Sequence, residues 1–112
     1  MKYFKLEEFA CKHCGEVKMN NKFLDMLDDA RGLANIPFGI TSGYRCPIHN
    51  ANVGSTSTNH VNGVAADITC TSSINRIKIV TALIKTGFKR IGIYKNFIHA
   101  DINDEVDAMW IG

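Results

Sequence analysis

No apolar run in this chain approaches the roughly 18 residues that a membrane-spanning helix needs. Nor is there a stripe of lysine and arginine of the kind that argues for nucleic acid. The formal net charge of +2 fits contact with an anionic surface or substrate without demanding one. The opening segment Met1 to Glu8 ends in two acids where a secretory signal needs its apolar region. The chain is therefore expected to be made in the cytoplasm with no export route of its own. Internal repeats and linkers are missing too. What remains is a soluble chain of 112 residues, 46% hydrophobic and 21% charged. That balance and length suit one domain with a real core and leave no room for two.

Cysteine is present in small number, four in all. Cys11-Lys-His-Cys14 and Cys46-Pro-Ile-His49 read as C-x2-C and C-x2-H, a pairing like that of a zinc knuckle. The gap between the halves is longer than in common zinc modules. Three readings stay open: a structural zinc on Cys11, Cys14, Cys46 and His49, a disulfide, or reduced thiols that pack or react. A chain without an export signal disfavours the disulfide. Cys70 stands alone and reads as a small buried hydrophobe.

Taken in order, residues 3–9 form an amphipathic lead-in, one helical turn that packs Phe4 and Phe9. From Asn21 to Ala34, Phe23, Leu27, Ala30 and Ala34 recur at helical spacing with Leu24 and Leu33 beside them. Asn20 or Asn21 can cap this helix, and Asn35 followed by Pro37 ends it. Phe38 to Thr41 is a short strand that delivers Ser42, Gly43, Tyr44 and Arg45 to its end. Residues 50–59 have turn-forming composition and are expected to be an irregular loop. Val64 to Ile68 reads as a buried strand. A second helix is expected over Ile74 to Thr86, with Ile74, Ile77, Val80 and Ile84 on one face and Gly87 at its end. Arg90–Tyr94 and Phe97–Ile102 are strand-like runs joined across Lys95-Asn96, the length of a two-residue hairpin turn. Trp110 is expected to close the core or the rim of a cleft. The sum is an α+β domain, a small, mainly antiparallel sheet with helices packed on one side.

The densest chemistry lies in Thr58-Asn-His-Val-Asn-Gly-Val-Ala-Ala-Asp67. It offers an imidazole, His60, and a carboxylate, Asp67, with Gly63 between them to turn the backbone sharply. An acid set between Ala66 and Ile68 in a buried run needs a partner or a metal. His99 is the candidate third ligand. If His60, Asp67 and His99 converge, they make a two-histidine, one-carboxylate site with an open position for water, a set that suits catalytic Zn²⁺. Residues two apart on a strand share a face, so Asp101 lies beside His99 and could accept a proton from that water. Arg45 could hold a substrate carboxylate or a developing oxyanion. Each residue also has a plainer reading: His99 as a hydrogen-bonded core histidine, His60 as an exposed imidazole, Arg45 as a surface charge.

Ser42-Gly-Tyr-Arg45, Asn50 with Val53-Gly54, the Thr58-x-His60-x-x-Gly63-x-Ala65-x-Asp67 box and Phe97-x-His99-x-Asp101 together resemble the M15 family of zinc D-Ala-D-Ala carboxypeptidases and related peptidoglycan peptidases, in its short single-domain branch. The likeness spans nearly the whole chain. It implies the fold shared with the Hedgehog signalling domain, one zinc peptidase domain over residues 1–112, and catalytic zinc on His60, Asp67 and His99. It further implies that Arg45 stabilises substrate or transition state and that the Thr58 hydroxyl contacts substrate, with Ser42 and Tyr44 as neighbouring substrate-binding candidates. Three positions depart from the family pattern: Thr58 replaces the usual serine, Gly54-Ser55 stands for a glycine pair, and Asn96 occupies the place three before the last ligand where several branches carry the catalytic acid. The base role then falls to Asp101. The expected activity is hydrolysis of an amide bond in peptidoglycan stem peptides, as a carboxypeptidase or endopeptidase, by a monomer acting at the cell wall in a phage lysis or virion-associated setting. A zinc-stabilised binding module with weak or no turnover is the rival, and metal binding through the cysteines alone is the third possibility.

Overall fold

The computed structural model describes all residues from Met1 to Gly112. A 3-10 turn, Leu6–Phe9, opens the chain and buries Phe9, with Phe4 packed edge-on against it at 5.4 Å between ring centroids. Helix α1 runs Asn21–Ala34, and the Asn20 side chain accepts the Phe23 N–H as its cap. Its C-cap, Asn35, sits in the left-handed region at φ 56°. Strand β1 (Ile40–Ser42), helix α2 (Pro47–Asn52), strand β2 (Ala65–Thr69), helix α3 (Ser73–Lys85) and strands β3 (Arg90–Ile93), β4 (Phe97–Asp101) and β5 (Ala108–Ile111) follow. The architecture is α+β.

The five strands form one sheet in the order β1-β2-β4-β3-β5. All pairings are antiparallel except β3 with β5, which is parallel. The β3–β4 hairpin closes through the Tyr94 N–H to the Phe97 carbonyl, leaving Lys95 and Asn96 as the turn. Strand alternation gives the sheet two unlike faces. Ala66, Ile68, Ile91, Ile98 and Ala100 point toward the helices and join Phe23, Leu24, Leu27, Ala30, Ile79, Val80 and Leu83 in one core cluster. The other face carries the polar groups.

Two expectations about the helices need correction. Residues 50–59 are not wholly irregular, because α2 occupies Pro47–Asn52. Proline at its first turn and the Cys46 sulfur accepting the His49 N–H are the start signals that turn-rich composition concealed. In α3 Val80 is the one member of the expected face that reaches the core. Ile74, Ile77 and Ile84 are 68%, 64% and 53% exposed, whereas Ile79, Val80, Ala82 and Leu83 face the core. Isoleucines recur all round this helix, and the neighbouring α1 decides which of them is covered. Strand β5 was not anticipated; its register places Trp110 beside Gly92.

The N-terminal segment is a strap across the far side of the chain. Asp28 on α1 accepts the Lys2 and Tyr3 N–H groups, both at 2.8 Å. Farther along, the Asn20 N–H bonds the Gly63 carbonyl, which fastens the strap to the loop carrying His60. Gly63 has φ +71°, and a Cβ there would collide with the Lys18 carbonyl oxygen. Cys11 lies in the same strap. Burial pushes its thiol up, but N–H groups of Cys46, Cys14 and His13 outweigh this and bring it down to about 7.

Burial pushes the Asp28 carboxyl up, while the Lys2 and Tyr3 N–H groups and the N-terminal charge outweigh it and hold it below its ordinary value. A carboxyl lowered on folding adds stability above its unfolded pKa, and that stability is lost as pH falls through the folded value. Asp28→Asn is therefore expected to cost about 1–3 kcal/mol near neutral pH. The deficit should shrink below about pH 4 as the wild-type carboxyl protonates, read by urea unfolding at both pH values. Gly63→Ala, strained in φ and blocked by Lys18, should lose at least about 2 kcal/mol in the same assay at neutral pH.

Candidate metal centre

A single cross-strand row crosses the polar face of the sheet. Ser42 on β1 pairs with Asp67 on β2, Asp67 with His99 on β4, His99 with Gly92 on β3, and Gly92 with Trp110 on β5. Asp67 and His99 thus stand directly opposite one another. His60 reaches the same point from the loop before β2. Its Nδ1 pairs with the Gly43 carbonyl at 2.8 Å, leaving Nε2 3.4 Å from Asp67 Oδ1. His99 Nδ1 lies 3.0 Å from the same oxygen. The three candidate ligand atoms fall within 4.8 Å of one another. Two ligands at about 2.0–2.1 Å from a tetrahedral zinc lie roughly 3.3 Å apart, so these spacings suit one cation with little rearrangement.

The remaining side of each ligand is occupied. His99 Nε2 donates to Asp101 Oδ2 at 2.7 Å, the carboxylate-histidine arrangement that orients a metal-binding imidazole. Asp101 is wholly buried. Its Oδ1 accepts from Arg90 Nε at 2.8 Å and from the Asn103 N–H at 3.2 Å, and its Oδ2 takes Asn59 Nδ2 at 3.3 Å besides His99. These contacts suit a carboxylate that orients the His99 ring. With four donors on two oxygens and no exposure, the carboxylate has neither a free lone pair nor a route to solvent in the cleft. Burial pushes it up, while His99 and Arg90 outweigh that and hold it below the usual carboxylate range.

Asp67 is the electrostatic centre. Burial pushes its carboxyl up, but hydrogen bonds and charge from His60 and His99 outweigh burial and hold it at about 2. Its second oxygen meets Arg45 Nη2 at 3.4 Å. His99 is pushed down by burial, and bonds to Asp101 and Asp67 on its two nitrogens outweigh this and raise it to about 9. Arg45 is held by Ser42 Oγ at Nε, 3.0 Å, and by Asn50 Oδ1 at Nη1, 3.4 Å. Asn50 in turn donates to the Ser57 carbonyl at 2.9 Å, so α2 supports both the arginine and the loop before His60.

Above this centre lies an open cleft of about 830 Å³, lined by Arg45, His60, Asp67 and His99, by residues 53–59, and by Arg90, Tyr94, Phe97, Glu105 and Trp110. Thr58, expected to contact substrate, is on its wall. Ser42 and Tyr44 are not. Ser42 holds Arg45 from behind, and Tyr44 is 4% exposed with its N–H bonded to the Phe9 carbonyl, so both support the arginine from outside the cleft. The aromatic wall is Tyr94, Phe97 and Trp110, of which the sequence placed Trp110 at the core or the rim of a cleft and gave Tyr94 no role in the site. Trp110 lies 5.5 Å from His99 between ring centroids, donates Nε1 to Tyr94 Oη at 2.9 Å, and passes over Gly92, where any Cβ would meet the indole at 2.6 Å. The thiol group lies elsewhere: Cys11, Cys14 and Cys46 form a second cluster.

No helix is long and apolar enough to cross a membrane. No curated protein matches the chain in sequence comparison. The family model described as Peptidase M15 matches residues 2–101, a span that takes in the arginine, all three clustered ligands and Asp101. With nine-tenths of its length under that match and candidate zinc ligands gathered at the floor of a cleft, the chain belongs to the M15 peptidases, a family of zinc-dependent metallopeptidases.

Proposed function

We propose that this peptidase hydrolyses an amide bond in the stem peptides of peptidoglycan, as a D,D-carboxypeptidase or an endopeptidase. We further propose that it reaches the wall by a route supplied from outside the chain, as in phage lysis. The observation that carries this reading is the convergence of His60 Nε2, Asp67 Oδ1 and His99 Nδ1 at the floor of an open cleft. The second nitrogen of each histidine is already engaged. His60, Asp67 and His99 would hold zinc, which supplies a Lewis acid for the scissile carbonyl and lowers the pKa of water.

The chain's own residues do the rest. Arg45 lies beside Asp67 with its guanidinium held at three corners, a preorganised donor for a peptide carboxylate or the oxyanion that develops on the carbonyl. Thr58, Asn59 and the exposed loop before them offer hydroxyl and amide groups to a peptide backbone. Tyr94, Phe97 and Trp110 give the opposite wall an apolar surface against which a small side chain can rest. With Asp101 engaged by four donors and Asn96 an amide, Glu105, exposed and 3.8 Å from Arg90, is the carboxylate besides Asp67 that lines the cleft, and we assign the proton to it. Asp101 is a positioning residue that fixes the His99 ring.

One observation favours the rival, a zinc-stabilised binding module: Asn96 is an amide where the family pattern has an acid, and the Asp101 carboxylate is already engaged by four donors. Turnover separates the readings. Chelation should cut hydrolysis of purified wall peptides by roughly a thousandfold, with recovery on adding zinc. Equal activity without metal ends the peptidase mechanism, and absence of turnover in zinc-loaded protein selects the binding module. Glu105→Gln should lower kcat by about 10²–10⁴. Asp101→Asn should weaken zinc binding about 10–100-fold and recover activity in excess zinc. A loss in Asp101→Asn that excess zinc does not relieve would restore Asp101 as the base.

A further inference from the structure

Cys11, Cys14 and Cys46 come from parts of the chain 35 residues apart, yet their sulfurs lie within 4.8 Å of one another. All three are free thiols. The local backbone is shaped around sulfur. Cys11 Sγ accepts the Cys46 N–H at 3.3 Å, and the N–H groups of His13 and Cys14 also face it. Cys46 Sγ accepts the His49 N–H at 3.4 Å. Gly15, at φ +78°, turns the chain back so that its N–H reaches the Cys11 carbonyl at 2.8 Å. N–H groups converging on sulfur stabilise thiolate over thiol, which is the form that binds metal.

A fourth ligand is within reach. His13 Nδ1 lies 3.5 Å from Cys46 Sγ, and the His49 ring stacks on the His13 ring at 6.2 Å between centroids. A tetrahedral zinc with sulfur at about 2.3 Å and imidazole nitrogen at about 2.0 Å puts those two ligand atoms roughly 3.5 Å apart. Three soft donors and one imidazole make the closed coordination set of a structural zinc, with no place for water.

We propose that Cys11, Cys14 and Cys46, closed by an imidazole of the His13–His49 pair, form a second zinc site that ties the N-terminal strap to the start of α2. The tie falls on the segment that supports the cleft. Cys46 follows Arg45 directly. The preceding Tyr44 N–H bonds the Phe9 carbonyl at 2.8 Å, and the Gly43 carbonyl holds His60. Zinc there fixes Arg45 and His60 from outside the cleft. This site is independent of the peptidase reading, since no cleft residue belongs to it.

Zinc content of full-length protein, reconstituted without oxygen, tests the inference: two per chain are expected. His60→Ala/His99→Ala should keep one, and Cys11→Ser/Cys14→Ser/Cys46→Ser should keep the other. With cobalt in place of zinc, the intense near-ultraviolet thiolate-to-cobalt band should persist in the histidine variant and vanish in the cysteine variant. Changing His13 and His49 together to alanine should weaken this site at least tenfold. Should the cysteine variant fail to fold, wild-type protein still decides, because Cys14 is exposed and alkylates freely unless metal holds it. Zinc should slow Cys14 alkylation at least tenfold, and a chelator should restore it. One zinc per chain in the wild type that the cysteine variant retains in full, a cobalt band without thiolate character, or alkylation unchanged by zinc would overturn the proposal. None of these readouts uses peptide turnover, so their failure leaves the peptidase reading untouched.

Discussion

The structure depends on keeping one carboxylate, Asp67, ionised on the inner part of a sheet. It is 6% exposed, and its environment is arranged to make that charge tolerable. Two imidazoles approach one oxygen and a guanidinium approaches the other. A buried charge without such partners would cost several kcal/mol. The surrounding polar contacts serve these partners in turn: Asp101 and Arg90 behind His99, Gly43 behind His60, Ser42 and Asn50 behind Arg45. The apolar face of the same strands packs on α1 and α3, so the polar face gains rigidity from a core it does not touch.

That division of labour explains what could be read from the sequence. Helix α1 was legible end to end, because its apolar stripe and Asn20 cap are local signals. The β3–β4 hairpin was legible for the same reason. His60, Asp67 and His99 were legible as a set because an acid in a buried run demands compensation, and the family likeness said which imidazoles provide it. The polar face of β4 was legible too, since strand alternation alone puts His99 and Asp101 together.

What failed was whatever depends on distant neighbours. Strand alternation gave Asp101 the right face, but the donors that surround its carboxylate, Arg90, Asn59 and Asn103, come from other segments and carry no local signal. Tyr44, a substrate-binding candidate beside Arg45, is buried, with its N–H on the Phe9 carbonyl of the strap, a neighbour that local sequence does not show. The isoleucines of α3 carry no periodicity that separates inside from outside. Strand β5 is four residues long and pairs parallel with a strand remote in sequence, so no local pattern announces it. The three clustered thiols gave a partial signal: the spacing was visible, but only the fold brings position 46 to the 11–14 turn.

The cross-strand pairing of Asp67 with His99 has a consequence for how long the folded chain survives. These residues sit on the two central strands, and His60 joins them from a loop, so a cation gripped by all three would act as a non-covalent rivet through the middle of the sheet. A ligand that binds only the native state raises its stability by mass action. Resistance to unfolding and proteolysis would then track the free metal concentration of the surroundings. A metal-poor environment would shorten the molecule's lifetime as well as silence it.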